Sequence, residues 1–251
     1  MMVQKNRILK CFNAKADTYE SAADVQVYVA QQLAGCLEGV QAQRILEIGC
    51  GTGHFSQYLV DKYPDAELVL TDIAPAMVAV TAQRFSTNGN VRVMSMDGEN
   101  FNLSQSFDLI VSSMAMHWFA DLKASLKQLM KQLSSNGKLV VSFLGSNSLL
   151  QWRQVFQELN MSVPTPHFPQ EMELNKFHPE LNFEKEMAVY QYQNSFQFLK
   201  TLKKLGAHAS RAEHAILSSA ELRRVMKHFD KKSGSTVEIP YEIIYGSYTK
   251  A

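Results

Sequence analysis

Three glycines at alternate positions, Gly49, Gly51 and Gly53, follow a short apolar run that contains the carboxylate Glu47. Glycines with this spacing let the backbone turn sharply and approach a ligand more closely than a Cβ atom would allow. A helix predicted over residues 54–60 would direct its first backbone N–H groups at the same ligand. A buried strand, a glycine turn and a helix start together predict a nucleotide-type pocket. The alternative is an ordinary glycine-rich connection.

The spacing of the turn indicates which nucleotide it would bind. It reads G-x-G-x-G, whereas dinucleotide-binding turns read G-x-G-x-x-G. A carboxylate beside the turn would repel a pyrophosphate and attract an ammonium or sulfonium group. The pattern E-x-G-x-G-x-G resembles motif I of the class I S-adenosylmethionine-dependent methyltransferases. This resemblance implies that S-adenosylmethionine is the cofactor, that the turn, including Cys50, wraps its methionine part, and that Glu47 helps to hold it.

A carboxylate also lies at the end of the second predicted strand and another shortly after the third. Asp72 lies 19 residues beyond Gly53, near the roughly 20-residue offset at which an acid reaches ribose hydroxyls. Its alternative role is to cap the helix whose start Pro75 indicates. For Asp97, the resemblance implies a hydrogen bond from the adenine amino group; the alternative is a turn residue. The remaining expected cofactor contacts are Ile73, Met77, Gly98, Ser112 and Ser113.

Candidate substrate-binding residues come from three parts of the chain. His117 and Trp118 follow the fourth predicted strand, where a substrate would meet the cofactor. The pattern F-x3-A-x2-Y over residues 12–19 resembles the N-terminal segment that closes over cofactor and substrate in small-molecule class I methyltransferases. Tyr19 and His117 are therefore the candidate catalytic residues, with a purely structural Tyr19 as the alternative. Arg211, Tyr19 and His117 are the candidates for holding one oxygen of a substrate carboxylate.

These residues need a sheet that brings strand ends together. The order of the predicted strands and helices indicates an α/β, Rossmann-like fold. The resemblance to the class I methyltransferases implies about seven mostly parallel strands, with helices on both faces and an antiparallel last strand. We expect a single domain over residues 1–251. Its predicted parts are an N-terminal helical lid (1–40), a cofactor-binding core (41–144), a cap insertion after strand five (145–182), and the rest of the sheet with basic helices (183–251).

Composition narrows the class of protein. Hydrophobic residues make up 46% and charged residues 20% of the chain, which is typical of a globular protein. No apolar run is long enough to span a membrane, and the N-terminus lacks the apolar core of a signal peptide. The three cysteines form no metal-like pair and indicate a reducing compartment. We therefore expect a cytoplasmic protein without a metal or membrane, and the formal charge of +1 argues against nucleic acid.

The charge is unevenly distributed. Residues 200–232 hold nine Lys or Arg and three acids, a formal charge of +6. A segregated basic patch attracts an acidic partner, although surface helices often carry lysines for solvation alone. The candidate partner-binding residues are Lys200, Lys203, Lys204, Arg223 and Arg224.

Three segments narrow the resemblance to the malonyl-acyl-carrier-protein O-methyltransferases of biotin synthesis. They are the F-x3-A-x2-Y pattern, S-S-M-A-M-H-W over residues 112–118, and T-L-K-K-L-G-A over residues 201–207. One departure is His117, where that family commonly has Gln. The resemblance implies methylation of the free malonyl carboxylate on an acidic carrier protein, and an ionised carboxylate needs no general base. The alternatives are a methyltransferase for a free small carboxylic acid or another metabolite, and a cofactor-binding protein without chemistry.

Overall fold

The computed structural model describes residues 2–174, 176–177, 180–207 and 217–251. Its helices are α1 (Met2–Asn13), α2 (Ala16–Tyr19), α3 (Asp24–Gly35), α4 (His54–Lys62), α5 (Pro75–Arg84), α6 (Leu122–Lys131), α7 (Leu150–Glu158), α8 (Glu171–Leu174), α9 (Ser195–Leu205) and α10 (Ser219–Ser233). Its strands are β1 (Arg44–Ile48), β2 (Glu67–Asp72), β3 (Val91–Ser95), β4 (Phe107–Ser113), β5 (Leu133–Leu144), β6 (Asn182–Tyr192) and β7 (Val237–Thr249).

The strands form one sheet in the order β3-β2-β1-β4-β5-β7-β6. Strands β1 to β5 pair in parallel, and β7 runs antiparallel to both β5 and β6. The predicted α/β fold of about seven mostly parallel strands is confirmed. The chain order reverses direction at β1, which lies between β2 and β4. Ligands bind at such a switch point, beyond the carboxyl ends of the strands.

Helices cover both faces of the central sheet, so its strands are apolar on both sides. In β1, Ile45 packs in a cluster with α3 and α4, whereas its neighbour Leu46 packs in a second cluster with α6. Both side chains are fully buried. A third cluster joins α7, α9 and α10 to β7 around the buried Trp152. This third cluster forms one wall of the cavity described below.

Within the residues described, no helix combines the length and the apolar character needed to cross a bilayer. The same residues contain no group of three or more His, Cys, Asp or Glu side chains placed to hold a metal ion.

Candidate active site

A cavity of about 400 Å³ opens at the carboxyl ends of β1 to β4. One end is lined by the glycine turn and acidic side chains, and the other end by apolar side chains from α7, α9 and β7. Of the residues predicted from sequence, this cavity brings together Tyr19, Gly49, Gly51, Asp72, Ile73, Met77, Asp97, Gly98, Ser113, His117 and Trp118.

The glycine turn is fixed by hydrogen bonds to β2. The backbone N–H groups of Gly49 and Cys50 donate to the Thr71 carbonyl at 2.8 and 2.9 Å. The φ angles of Gly49 and Gly51 are +75° and +55°, in the left-handed region that favours glycine. A Cβ atom on Gly49 would also lie 2.3 Å from the Cβ of Ala115. The turn therefore presents bare backbone to the cavity.

Asp72 braces this turn from the end of β2. Its Oδ2 accepts a hydrogen bond from the Gly51 N–H at 3.0 Å, and its Oδ1 accepts one from the Ala74 N–H at 2.8 Å. Ala74 is the N-cap residue of α5 and its side chain makes no capping hydrogen bond, so Asp72 stabilises the turn that leads into the helix and does not cap it. The carboxylate also lines the cavity, which leaves the predicted ribose role open to it. Burial raises the pKa of this carboxyl, and backbone hydrogen bonds from Ala74, Gly51 and Ile73 oppose the shift.

Glu47 is 1% exposed and lies beneath the turn. Its Oε2 accepts a hydrogen bond from the Ser56 hydroxyl at 2.5 Å. Burial raises the pKa of this carboxyl to about 7, with the Ser56 hydrogen bond opposing and the charge of Asp72 adding to the increase. A cationic ligand beside Glu47 would favour its ionised form.

A smaller cavity of about 30 Å³ adjoins Glu47 and is also lined by Tyr19 and Cys50. Around it lie three buried side-chain atoms that make no hydrogen bond within the described part of the chain: Gln26 Oε1, Thr52 Oγ1 and His54 Nε2. The His54 atom is 3.8 Å from a Glu20 oxygen. Buried polar atoms without partners fit a small charged ligand group, such as the ammonium and carboxylate of an amino acid. Neither Thr52, which lies inside the glycine turn, nor His54, which directly follows it, was predicted from the sequence.

Asp97 is already engaged by a lysine from α1. The Lys5 Nζ atom lies 2.6 Å from Asp97 Oδ2 and 2.9 Å from Glu99 Oε2, and the Glu99 N–H donates to Asp97 Oδ1 at 3.0 Å. Between these acids, a Cβ atom on Gly98 would lie 2.6 Å from Ile48 Cγ2, so only glycine fits there. The N-terminal helix therefore lies over the predicted adenine-binding end, where Lys5 and Asp97 both line the cavity.

Aromatic rings occupy the middle of the cavity. Phe12 meets Trp118 edge to face at 5.5 Å, and His117 lies 5.4 Å from Trp118 and 6.1 Å from Phe168 between ring centroids. Burial lowers the pKa of His117 to about 3, so the ring is neutral at physiological pH. Burial and the charge of Asp72 raise the pKa of Tyr19, which keeps the phenol protonated.

The remaining predicted residues lie elsewhere. Ser112 is fully buried, and its hydroxyl donates to the Ile48 carbonyl at 2.8 Å, so this side chain links β4 to β1. Gly53 lies against Phe85, and Arg211 falls outside the described residues. The basic candidates lie on α9 and α10: Lys200, Lys203, Arg223 and Arg224 are exposed and Lys204 is half-buried.

Comparison with known proteins places the chain in a family. Residues 46–139 match a family described as "Methyltransferase domain". The malonyl-[acyl-carrier protein] O-methyltransferase of Magnetococcus marinus is 34% identical over 99% of this chain and 94% of its own length. The biotin biosynthesis bifunctional protein BioCD of Bordetella avium is 35% identical over 97% of this chain, which spans 52% of that relative.

Among solved structures, the YcgJ protein of Bacillus subtilis has a TM-score of 0.64 at 16% identity, covering 89% of this chain and 98% of that one. This likeness shows the fold, and the sequence relatives show the family. The resemblance predicted from the motifs is confirmed: the chain belongs to the malonyl-[acyl-carrier protein] O-methyltransferase family of class I methyltransferases.

Proposed function

We propose that this protein transfers a methyl group from S-adenosylmethionine to the free carboxylate of malonyl-acyl-carrier protein, giving the methyl ester in biotin biosynthesis. The observation that carries the proposal is a single cavity that joins an acidic, glycine-lined end to an apolar lobe. The names of the relatives over nearly the whole chain support the substrate.

The acidic end fits S-adenosylmethionine. Asp72 and Asp97 offer acceptors for ribose hydroxyls and the adenine amino group, and Gly49 and Gly98 leave no room for a Cβ atom. Glu47 and the three atoms around the small cavity suit the ammonium and carboxylate of the methionine part. When bound, this cofactor supplies an activated methyl group on a sulfonium.

The pKa of Glu47 predicts a pH-dependent affinity for the cofactor. The ionised Glu47 carboxylate attracts the ammonium of the cofactor, and the pKa of this carboxyl is about 7. The affinity for S-adenosylmethionine is therefore expected to fall as the pH drops from 7 to 5.5, by up to about tenfold per pH unit. Glu47→Gln is expected to bind weakly with little slope, and Ser56→Ala to shift the fall to higher pH. Calorimetric titration at each pH measures this, and equal slopes for wild type and Glu47→Gln would contradict it.

The chain's part in the transfer is positioning and exclusion of water. A carboxylate is already a nucleophile at neutral pH, so no side chain has to remove a proton. The rings of Phe12, Trp118 and Phe168 enclose the middle of the cavity. The positive charge of the sulfonium and the negative charge of the carboxylate both disappear during the transfer. A site without water favours this loss of charge.

The carrier protein would dock on α9 and α10. On α9, Leu199 and Leu202 line the apolar lobe, while Lys200 and Lys203 are exposed. On α10, Leu222 lines the same lobe and its neighbours Arg223 and Arg224 are exposed. The two helices therefore offer a basic outer surface for an acidic carrier and an apolar inner surface for its prosthetic arm.

Methyl transfer from labelled S-adenosylmethionine tests the function. Malonyl-acyl-carrier protein, malonyl-coenzyme A and a free dicarboxylic acid serve as acceptors. We expect the highest kcat/KM for the carrier-linked malonyl group, with a strong decrease as salt rises. Label on the free acid alone, or on no acceptor, would contradict the proposal.

The same assay tests where the carrier protein docks. Lys200→Glu combined with Lys203→Glu is expected to lower kcat/KM for the carrier-linked substrate about tenfold or more and to leave that for malonyl-coenzyme A within about twofold. The matched control is Lys123→Glu with Lys127→Glu, which reverses two exposed lysines on α6. An equal loss in both double variants would argue against docking on α9.

A further inference from the structure

The substrate carboxylate needs a partner in the middle of the cavity, and the described lining offers little positive charge. Its charged side chains are Lys5, Asp24, Asp72, Asp97 and Glu99. Lys5 is the only lysine or arginine among these described residues, and it is paired with both Asp97 and Glu99 within 3 Å. A carboxylate entering from the apolar lobe therefore meets neutral polar groups before it meets this ammonium.

Two polar side chains that line the cavity carry a buried side-chain atom without a hydrogen-bond partner in the described part of the chain, Gln26 and His117. Gln26 also lines the small cavity beside Glu47, whereas His117 lies among the aromatic rings. His117 is 8% exposed, and the atom without a partner is its Nδ1. The surrounding rings of Trp118 and Phe168 supply no acceptor that would fix the proton. His117 follows β4, and its ring lies beside Trp118 and Phe168, which line the same cavity. A neutral imidazole always carries one N–H donor, and no acceptor for it is found among the described residues.

We propose that His117, as an uncharged ring, donates a hydrogen bond to one oxygen of the substrate carboxylate and so orients the other oxygen for attack. This inference rests on the proposed function and names the group that selects a carboxylate there. The attacking oxygen uses a lone pair to form the O–CH3 bond while the S–CH3 bond breaks and its electron pair stays on sulfur. No proton moves, so the ring keeps its N–H throughout.

A neutral donor suits this step better than a cation. A paired lysine or arginine would stabilise the full charge of the free carboxylate more than the reduced charge of the transition state, which raises the barrier. The interaction of a neutral N–H with the carboxylate weakens less as the carboxylate loses its charge and becomes an ester. It also avoids placing a second positive charge beside the sulfonium.

Two substitutions separate hydrogen bonding from packing. His117→Phe keeps an aromatic ring without a donor, and His117→Gln keeps an uncharged N–H donor. We expect His117→Phe to lower kcat/KM for malonyl-acyl-carrier protein about 100-fold or more, and His117→Gln to remain within about tenfold of wild type. Both variants are expected to bind S-adenosylhomocysteine within about twofold of wild type, which shows that the site is folded.

Arg211→Gln is the competing variant, because Arg211 is the cation predicted from sequence. Full activity of His117→Phe, or a large loss in Arg211→Gln with His117→Phe unaffected, would overturn the inference. If His117→Phe does not fold, His117→Met replaces it as the variant without a donor. A wild-type protein that labels no carrier-linked malonyl group would refute the proposed function instead, so the two failures are distinguishable.

Discussion

Asp72→Asn is expected to weaken S-adenosylmethionine binding by about 100-fold or more. The carboxylate of Asp72 accepts hydrogen bonds from Gly51 and Ala74 and lies where the ribose would bind. An amide has the same shape but one acceptor oxygen, so one backbone N–H would face an NH₂ group and the ribose would lose an ionised partner. The backbone bond mainly affects stability, whereas the ionised carboxylate can accept from both ribose hydroxyls. Hydrogen bonds to a charged group contribute about 1.5–3 kcal/mol each, and loss of the two ribose bonds corresponds to about 100-fold or more in affinity.

Asp108→Asn is the matched control for this prediction. Asp108 also accepts two backbone N–H groups, those of Gln43 and Arg44 at 3.0 Å each, but it lies at the amino ends of β1 and β4. We expect Asp108→Asn to lower the melting temperature while leaving the cofactor Kd unchanged. Calorimetric titration and thermal unfolding of both variants decide the matter. A cofactor Kd within threefold of wild type for Asp72→Asn would contradict the assignment.

The cofactor end of the site was predictable because its residues follow a local rule. Glu47, Gly49, Asp72 and Asp97 lie within or just after consecutive parallel strands, and the carboxyl ends of such strands share one edge. Apolar runs set the strands and the glycine spacing sets the turn. The fold, and the meeting of these residues at one edge, therefore follow from short stretches of sequence read in order.

Contacts between distant parts of the chain have no such signature. Lys5 meets Asp97 across 92 positions, and nothing around Lys5 distinguishes it from a solvated helix lysine. Ser112 and Ser113 look equivalent in sequence, yet strand alternation directs Ser112 to the Ile48 carbonyl and leaves Ser113 lining the cavity. The apolar lobe likewise depends on how helices far apart in the chain pack around Trp152.

Gly49→Ala is expected to lower the free energy of unfolding by about 2–5 kcal/mol and to abolish cofactor binding. Two costs add at this position. A φ of +75° costs a residue with a Cβ atom about 1–2 kcal/mol. The new atom would also lie 2.3 Å from the Cβ of Ala115, and such overpacking costs about 1–3 kcal/mol. Neither atom can rotate away, because both are fixed by the backbone.

Gly51→Ala isolates the first cost. Its φ is +55°, and a Cβ atom there would have no neighbour within 4 Å. We expect a loss of about 1–2 kcal/mol with the turn retained. Adding Ala115→Gly to Gly49→Ala removes the clash and should return the variant to a similar loss. Denaturant unfolding of the single and double variants gives the coupling energy between positions 49 and 115. Additive losses would mean that Ala115 does not set the requirement for glycine, whereas a favourable coupling of 1 kcal/mol or more would show that the end of β4 and the glycine turn are shaped to fit each other.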